Sequence, residues 1–217
     1  MKVALIGATG FVGSHVLAEL VNRGHEVTAI SRNPDKVLLK GDLIHSIKGD
    51  VLIEDEVAIL VAGNDAVISA YNPGWTNPNI FTEALAGSKS IQAGVEKSGV
   101  KRFLYIGGAG SLEVAPGIQL IDTPNFPEEY KPGAEAARQY HDILKRSDIL
   151  DWTFLSPAIE MHPGTSGLRK GIYRIGLDNP VFDEKGRSII SAEDLAVAIV
   201  DEIESPQFVK KRFTVAY

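Results

Sequence analysis

Val3-Ala4-Leu5-Ile6-Gly7-Ala8-Thr9-Gly10-Phe11-Val12-Gly13 opens with four apolar residues and continues with glycine at every third position. An uninterrupted apolar run of this length reads as a strand covered on both faces, the kind found inside parallel sheets. After the glycines, Val12, Val16, Leu17, Leu20 and Val21 fall on one helical stripe. Strand, glycine turn and helix therefore follow within about twenty residues. Gly7 permits the tight turn, Gly10 lets backbone N–H groups approach a pyrophosphate, and Gly13 allows the helix to lie close on the sheet. The unpaired N–H groups and the dipole of the helix start favour an anion there. A glycine-rich turn without a ligand is the alternative, and the strand before and helix after it argue against that.

Outward from this unit, strands and helices alternate. Val27 to Ile30 form a second strand that ends in Ser31-Arg32-Asn33-Pro34. An acidic residue at this strand end would select NAD by bonding the ribose 2′-hydroxyl. The chain has Arg32 instead, whose guanidinium suits a 2′-phosphate; a solvated arginine beside an Asn-Pro helix start is the alternative. Ile44 to Ile47 give a weaker strand followed by Gly49-Asp50-Val51, where Asp50 can meet an adenine amino group or serve the turn itself. A short helix spans about 54–62, and Ala66 to Ala70 form the fourth strand. The loop after it, Tyr71-Asn72-Pro73-Gly74-Trp75, carries two bulky aromatics beyond the carboxyl end of a central strand. Those rings can stack on a planar substrate or fill a local loop core.

Asn77-Pro78 is expected to start a helix that Ser98-Gly99 stops, and Arg102 to Ile106 follow as the fifth strand. The segment 112–132 has no helical period and is expected to be irregular. A helix over 133–146 leads to strand six at 151–155. A loop with His162, a short strand near Tyr173, a helix opened by a capping box at Ser191 and a last strand over 213–215 complete the chain. The expected fold is α/β, a single Rossmann-type doubly wound parallel sheet in three α/β/α layers with small C-terminal additions. One domain covers 1–217, with substrate-side loops near 71–80, 108–133 and 157–190.

The chain has 217 residues, 44% of them hydrophobic, a net charge of −6 and no cysteine. The acidic balance argues against nucleic acid or an anionic membrane as partner. Absence of cysteine removes disulfides and thiol nucleophiles and fits a reducing compartment. The apolar run after Met1-Lys2 is too short for a signal-peptide core, and no run approaches a membrane span, so the expected location is cytoplasmic. The five histidines show no metal spacing.

The glycine segment, Gly49-Asp50-Val51, Asp65-Ala66-Val67-Ile68, Arg102-Phe103-Leu104-Tyr105-Ile106 and Leu150-Asp151-Trp152-Thr153 stand at intervals that resemble an atypical short-chain dehydrogenase/reductase. The similarity is to the NAD(P)H-binding group with NADH-flavin reductases and flavin/biliverdin reductases, and it covers essentially the whole chain. It implies that Gly7, Thr9, Gly10, Phe11 and Val12 hold the pyrophosphate. It further implies Arg32 at the 2′-phosphate, Asp50 and Val51 at adenine, Tyr71 and Pro157 near the nicotinamide end, and Ala70 among the cofactor-binding residues. NADP(H) is then preferred over NAD(H).

The departures bear on the reaction. Members that reduce alcohols and sugars use Tyr-x-x-x-Lys, in which lysine lowers the phenol pKa for acid/base work. No tyrosine here has lysine four residues later, and the pair's column falls near Gly133 and Ala137. The usual hydroxyl after strand five is replaced by Gly107-Gly108, with Ser111 three positions on. A flavin such as FMN accepts a hydride without that relay. The expected activity is therefore reduction of a small planar acceptor by NADPH, with Ser111 and Tyr71 as candidate catalytic residues and Trp75 as a lining group. His162 before Pro-Gly is either a proton donor or a surface residue. A cofactor-binding sensor without catalysis is the alternative from another class. An epimerase/dehydratase is the third, disfavoured because only about sixty residues follow strand six and the tyrosine is missing. Oligomeric state is left open.

Overall fold

The structure, a computed structural model, describes residues 1–217. The first strand, β1 (Lys2–Ile6), is fully buried after its first residue, as its apolar run requires. It feeds α1 (Phe11–Asn22), β2 (Glu26–Ser31) and β3 (Ile44–Lys48) on one side. The chain then crosses over through α2 (Glu54–Val61) to β4 (Ala66–Ser69), α3 (Ile80–Ser98) and β5 (Arg102–Ile106) on the other. A small hairpin, β6 (Glu113–Ala115) with β7 (Ile118–Gln119), interrupts the expected irregular segment. Then come α4 (Lys131–Leu144), β8 (Asp151–Ser156), β9 (Arg174–Gly176), α5 (Ala192–Glu204) and β10 (Lys211–Ala216).

The sheet runs β3-β2-β1-β4-β5-β8-β10-β9, parallel throughout except for β9, which pairs antiparallel with β10. Its strand order reverses direction between β1 and β4, and in open α/β sheets ligands bind at the carboxyl ends of the strands at that switch point. Two apolar cores cover the faces. One gathers side chains of β1, β2 and β10 with α1 and α5; the other gathers β1, β5 and β8 with α2, α3 and α4. This is the doubly wound three-layer sheet the sequence implies, and β9 is its C-terminal addition.

Some boundaries move for local reasons. Helix α3 begins at Ile80 because Asn77 turns the chain first, its Oδ1 accepting the Asn79 N–H at 2.8 Å. At α5, Ser191 caps by accepting the Asp194 N–H at 3.1 Å. The reciprocal half of a capping box is absent, because the fully buried Asp194 carboxylate accepts instead from Lys170 N–H, Gly171 N–H and the Tyr217 hydroxyl. Ser188 to Ile190 form no regular strand: Ile189 makes an isolated bridge to Glu160, and its carbonyl accepts the Tyr217 N–H at 3.0 Å.

On α4 the His141 ring is 8% exposed and lies 4.5 Å from the Phe154 ring, centroid to centroid. Burial, with Arg212 and Lys145 nearby, lowers its pKa to about 4. An unfolded chain takes up this proton near pH 6.5, whereas the folded one resists until about pH 4. Stability is therefore expected to fall as pH drops through that window, by about 2 kcal/mol from this residue. Urea denaturation at pH 7.5 and 4.5 checks it: His141→Gln should lose less stability on acidification than the wild type.

Candidate functional site

The glycine turn is built from backbone alone. Gly7 has a φ of +84°, and its N–H donates to the Ile30 carbonyl at 3.0 Å. A Cβ there would stand 2.6 Å from the Ala70 oxygen and 3.3 Å from the Tyr71 nitrogen, so the turn touches the chain leaving β4. A Cβ on Gly13 would collide with the Gly7 carbonyl, which is the close helix–turn contact its position suggested. Gly10 differs: it is exposed, extended in conformation, and meets only the Gly7 oxygen at 3.3 Å. No side chain caps α1 and no acid sits in its first turn, so the N–H groups of Phe11 and Val12 point outward unpaired. Those donors and the helix dipole favour an anion.

The surroundings fit a dinucleotide. Ser31 and Ser69 end β2 and β4, the strands flanking β1, and their buried hydroxyls have no partner in the chain. Arg32 is exposed beside them and pairs with no carboxylate. Asp50 serves its own turn, with Oδ1 accepting the Leu52 N–H at 3.0 Å; its exposed side chain keeps a second oxygen free. Val51 is buried in the core beneath α2. Thr9, Gly10 and Phe11 are exposed at the mouth, and Pro157 is buried just past β8.

The other end of the crevice departs from the expectation for two residues. Tyr71 leaves β4 beside Gly7, but its ring lies flat on Gly87 of α3 and its hydroxyl donates to the Glu83 carbonyl at 3.2 Å. Burial, with Glu83 nearby, raises its pKa, so the phenol is held protonated and turned inward. Ser111 is 2% exposed, and its carbonyl and Oγ accept from Arg212 Nη1 at 2.8 and 3.2 Å. That arginine belongs to β10 and is itself paired with Asp178. Ser111 thus lines a separate polar cavity of about 590 Å³ shared with His141 and Arg212. The two candidate catalytic side chains are not brought together. His162 is exposed, and its Nδ1 accepts the Gly164 N–H at 3.1 Å, so it caps its own turn.

Gly133 and Ala137, the column of the missing pair, lie against Trp75 and Gly108. A Cβ on Gly133 would lie 2.7 Å from Cζ3 of Trp75, and a Cβ on Gly108 would lie 3.7 Å from that of Ala137. Gly107 is glycine because a Cβ there would enter the Phe154 ring. The contact between Gly133 and Trp75 was missed from sequence; its only signal was a glycine two residues into a helix.

The profile of a family described as NAD(P)H-binding matches residues 7–206. YwnB, an uncharacterized protein of Bacillus subtilis, is 40% identical over 99% of this chain and 98% of its own length. The structure of a candidate epimerase from Bacteroides thetaiotaomicron superposes with a TM-score of 0.92 at 44% identity, covering 100% of this chain and 96% of that one. A candidate NADH-flavin reductase from Streptococcus pneumoniae gives 0.83 at 38% identity, with 100% and 99% covered.

Proposed function

The chain belongs to the NAD(P)H-binding family, and on that premise we propose that it is a reductase passing hydride from NADPH to a planar acceptor such as FMN. One observation carries the reading: where a proton relay would stand, Gly133 and Ala137 offer no ionisable group, and Tyr71 and Ser111 are bonded elsewhere. Reduction of a ketone or a sugar carbonyl needs a proton placed on the nascent alkoxide, which a positioned acid supplies. A conjugated ring delocalises the incoming electron pair, so alignment against the nicotinamide suffices. The residues that would hold the dinucleotide are the backbone of Gly7 to Val12, with Ser31, Ser69, Asp50 and Val51 around it, and Arg32 on the 2′-phosphate. When bound, the reduced dinucleotide supplies the hydride. The protein's part is to orient both rings.

NADPH oxidation followed at 340 nm with and without FMN tests the activity. FMN-dependent turnover supports it. No turnover, with NADPH still bound, favours a cofactor-binding sensor; turnover of a nucleotide sugar instead would favour an epimerase. The coenzyme preference has its own test. Arg32→Ala is expected to weaken NADPH binding by about 1–3 kcal/mol, the range of charge-assisted hydrogen bonds, and to leave NADH within about twofold. Calorimetric titration of both cofactors reads this, and equal losses would refute the role of Arg32.

A further inference from the structure

Trp75 is 55% exposed, yet it is not loosely held. Its six-membered ring lies on Gly133, with Cζ3 at 2.7 Å and Cη2 at 3.3 Å from where a Cβ would be. The Ile80 Cδ1 stands 3.0 Å from the same point, and the Tyr130 ring meets the indole edge-on at 5.3 Å and 85°. The other aromatic of this loop, Tyr71, is turned into α3, so the loop offers one flat apolar surface. Its place follows from its two ends. The loop leaves β4 beside the glycine turn and lands on α4 at Gly133, one helical turn before the Ala137 that faces Gly108 after β5. The indole therefore stands by the carboxyl ends of β4 and β5, on the far side of the switch point from the strand that carries Arg32.

We infer that Trp75 is the platform on which the acceptor ring stacks, and that position 133 is glycine because the indole occupies the room its side chain would need. This deepens the reductase reading and rests on it. The acceptor class follows: a planar conjugated ring system of isoalloxazine size, for which a π-face supplies binding energy that an aliphatic carbonyl compound cannot collect. A tyrosine at 133 and an indole lying there exclude each other. Proton relay and stacking platform are thus alternative uses of one volume.

The chain has two tryptophans, and a bound flavin takes energy from buried and exposed indoles alike, so the difference between wild type and Trp75→Ala is what reads Trp75. Titration of FMN into the dinucleotide-free protein is expected to quench emission saturably, and Trp75→Ala to shift the midpoint about tenfold higher. In steady state Trp75→Ala should raise KM for FMN about tenfold, the scale of one lost stacking contact, with kcat and KM for NADPH within about threefold. Trp75→Phe should recover most of the loss. Gly133→Ala improves helix propensity, so the fold holds, but it pushes the indole away and should raise KM for FMN with Trp75 still present. Quenching unchanged in Trp75→Ala, or a KM indifferent to both positions, overturns the inference. Saturable Trp75-dependent quenching without FMN turnover would keep the platform and overturn the reductase reading. FMN turnover with a KM blind to Trp75 would do the reverse.

Discussion

Gly10→Val is expected to lower dinucleotide affinity by about 100-fold or more while the protein stays folded. Within the chain a Cβ at this position meets a single atom, the Gly7 oxygen at 3.3 Å, and the residue is extended, a conformation valine adopts. The isopropyl group then fills the approach to the unpaired N–H groups of Phe11 and Val12. Folding loses only about 1 kcal/mol for a poorer helix cap. Gly13→Val is the contrast. Its Cβ collides with the Gly7 carbonyl, so the helix must move off the turn, and the variant should unfold at markedly lower temperature. Circular dichroism melts and calorimetric titration with NADPH separate the two: a folded Gly10→Val with undiminished affinity would put the pyrophosphate elsewhere.

Glu202→Ala is expected to cost about 3–5 kcal/mol of stability, or about 10 °C in Tm, without touching the crevice. Glu202 is 3% exposed at the end of α5, and its Oε1 accepts from Arg102 Nη2 at 2.7 Å and from the Thr153 hydroxyl at 3.0 Å. Its Oε2 accepts the Gln207 N–H at 2.8 Å. One carboxylate thus ties β5, β8 and the approach to β10. Alanine leaves the Arg102 guanidinium uncompensated in a site where burial already lowers its pKa. Urea denaturation measures the loss; less than about 1 kcal/mol would mean that water reaches Arg102 and replaces the carboxylate.

What could be read from the chain beforehand was whatever depends on local pattern. The run Val3 to Ile6 is apolar because both sheet faces are covered, and glycine spacing reports backbone contacts that no other residue permits. The glycine turn was legible for that reason: its determinants are contiguous in sequence. The surroundings of Tyr71 and Ser111 were not, because their contacts join distant segments. Ser111 stood where a hydroxyl was wanted, but Arg212, 101 residues later, claims both its carbonyl and its Oγ. Tyr71 belonged to the right loop, yet the small residue at Gly87 let its ring fall inward. Asp50 and His162 each serve their own turn, an ordinary local alternative to a ligand contact. Glu202 gave no sign at all, since a buried glutamate late in an amphipathic helix looks like a solvated one.

The contact between the Gly7 turn and the chain at Ala70 has a further consequence. The two loops flanking the switch point meet main chain to main chain, with no side chain between them. At the glycine turn itself, binding of a pyrophosphate is therefore almost blind to substitution: it can be spoiled by adding atoms but hardly retuned by exchanging them. The far wall is made of exchangeable parts, at positions 75, 133 and 137. On the reductase reading proposed above, a scaffold divided in this way can drift to new acceptors while its donor stays fixed, and directed evolution of this chain has three residues at which to begin.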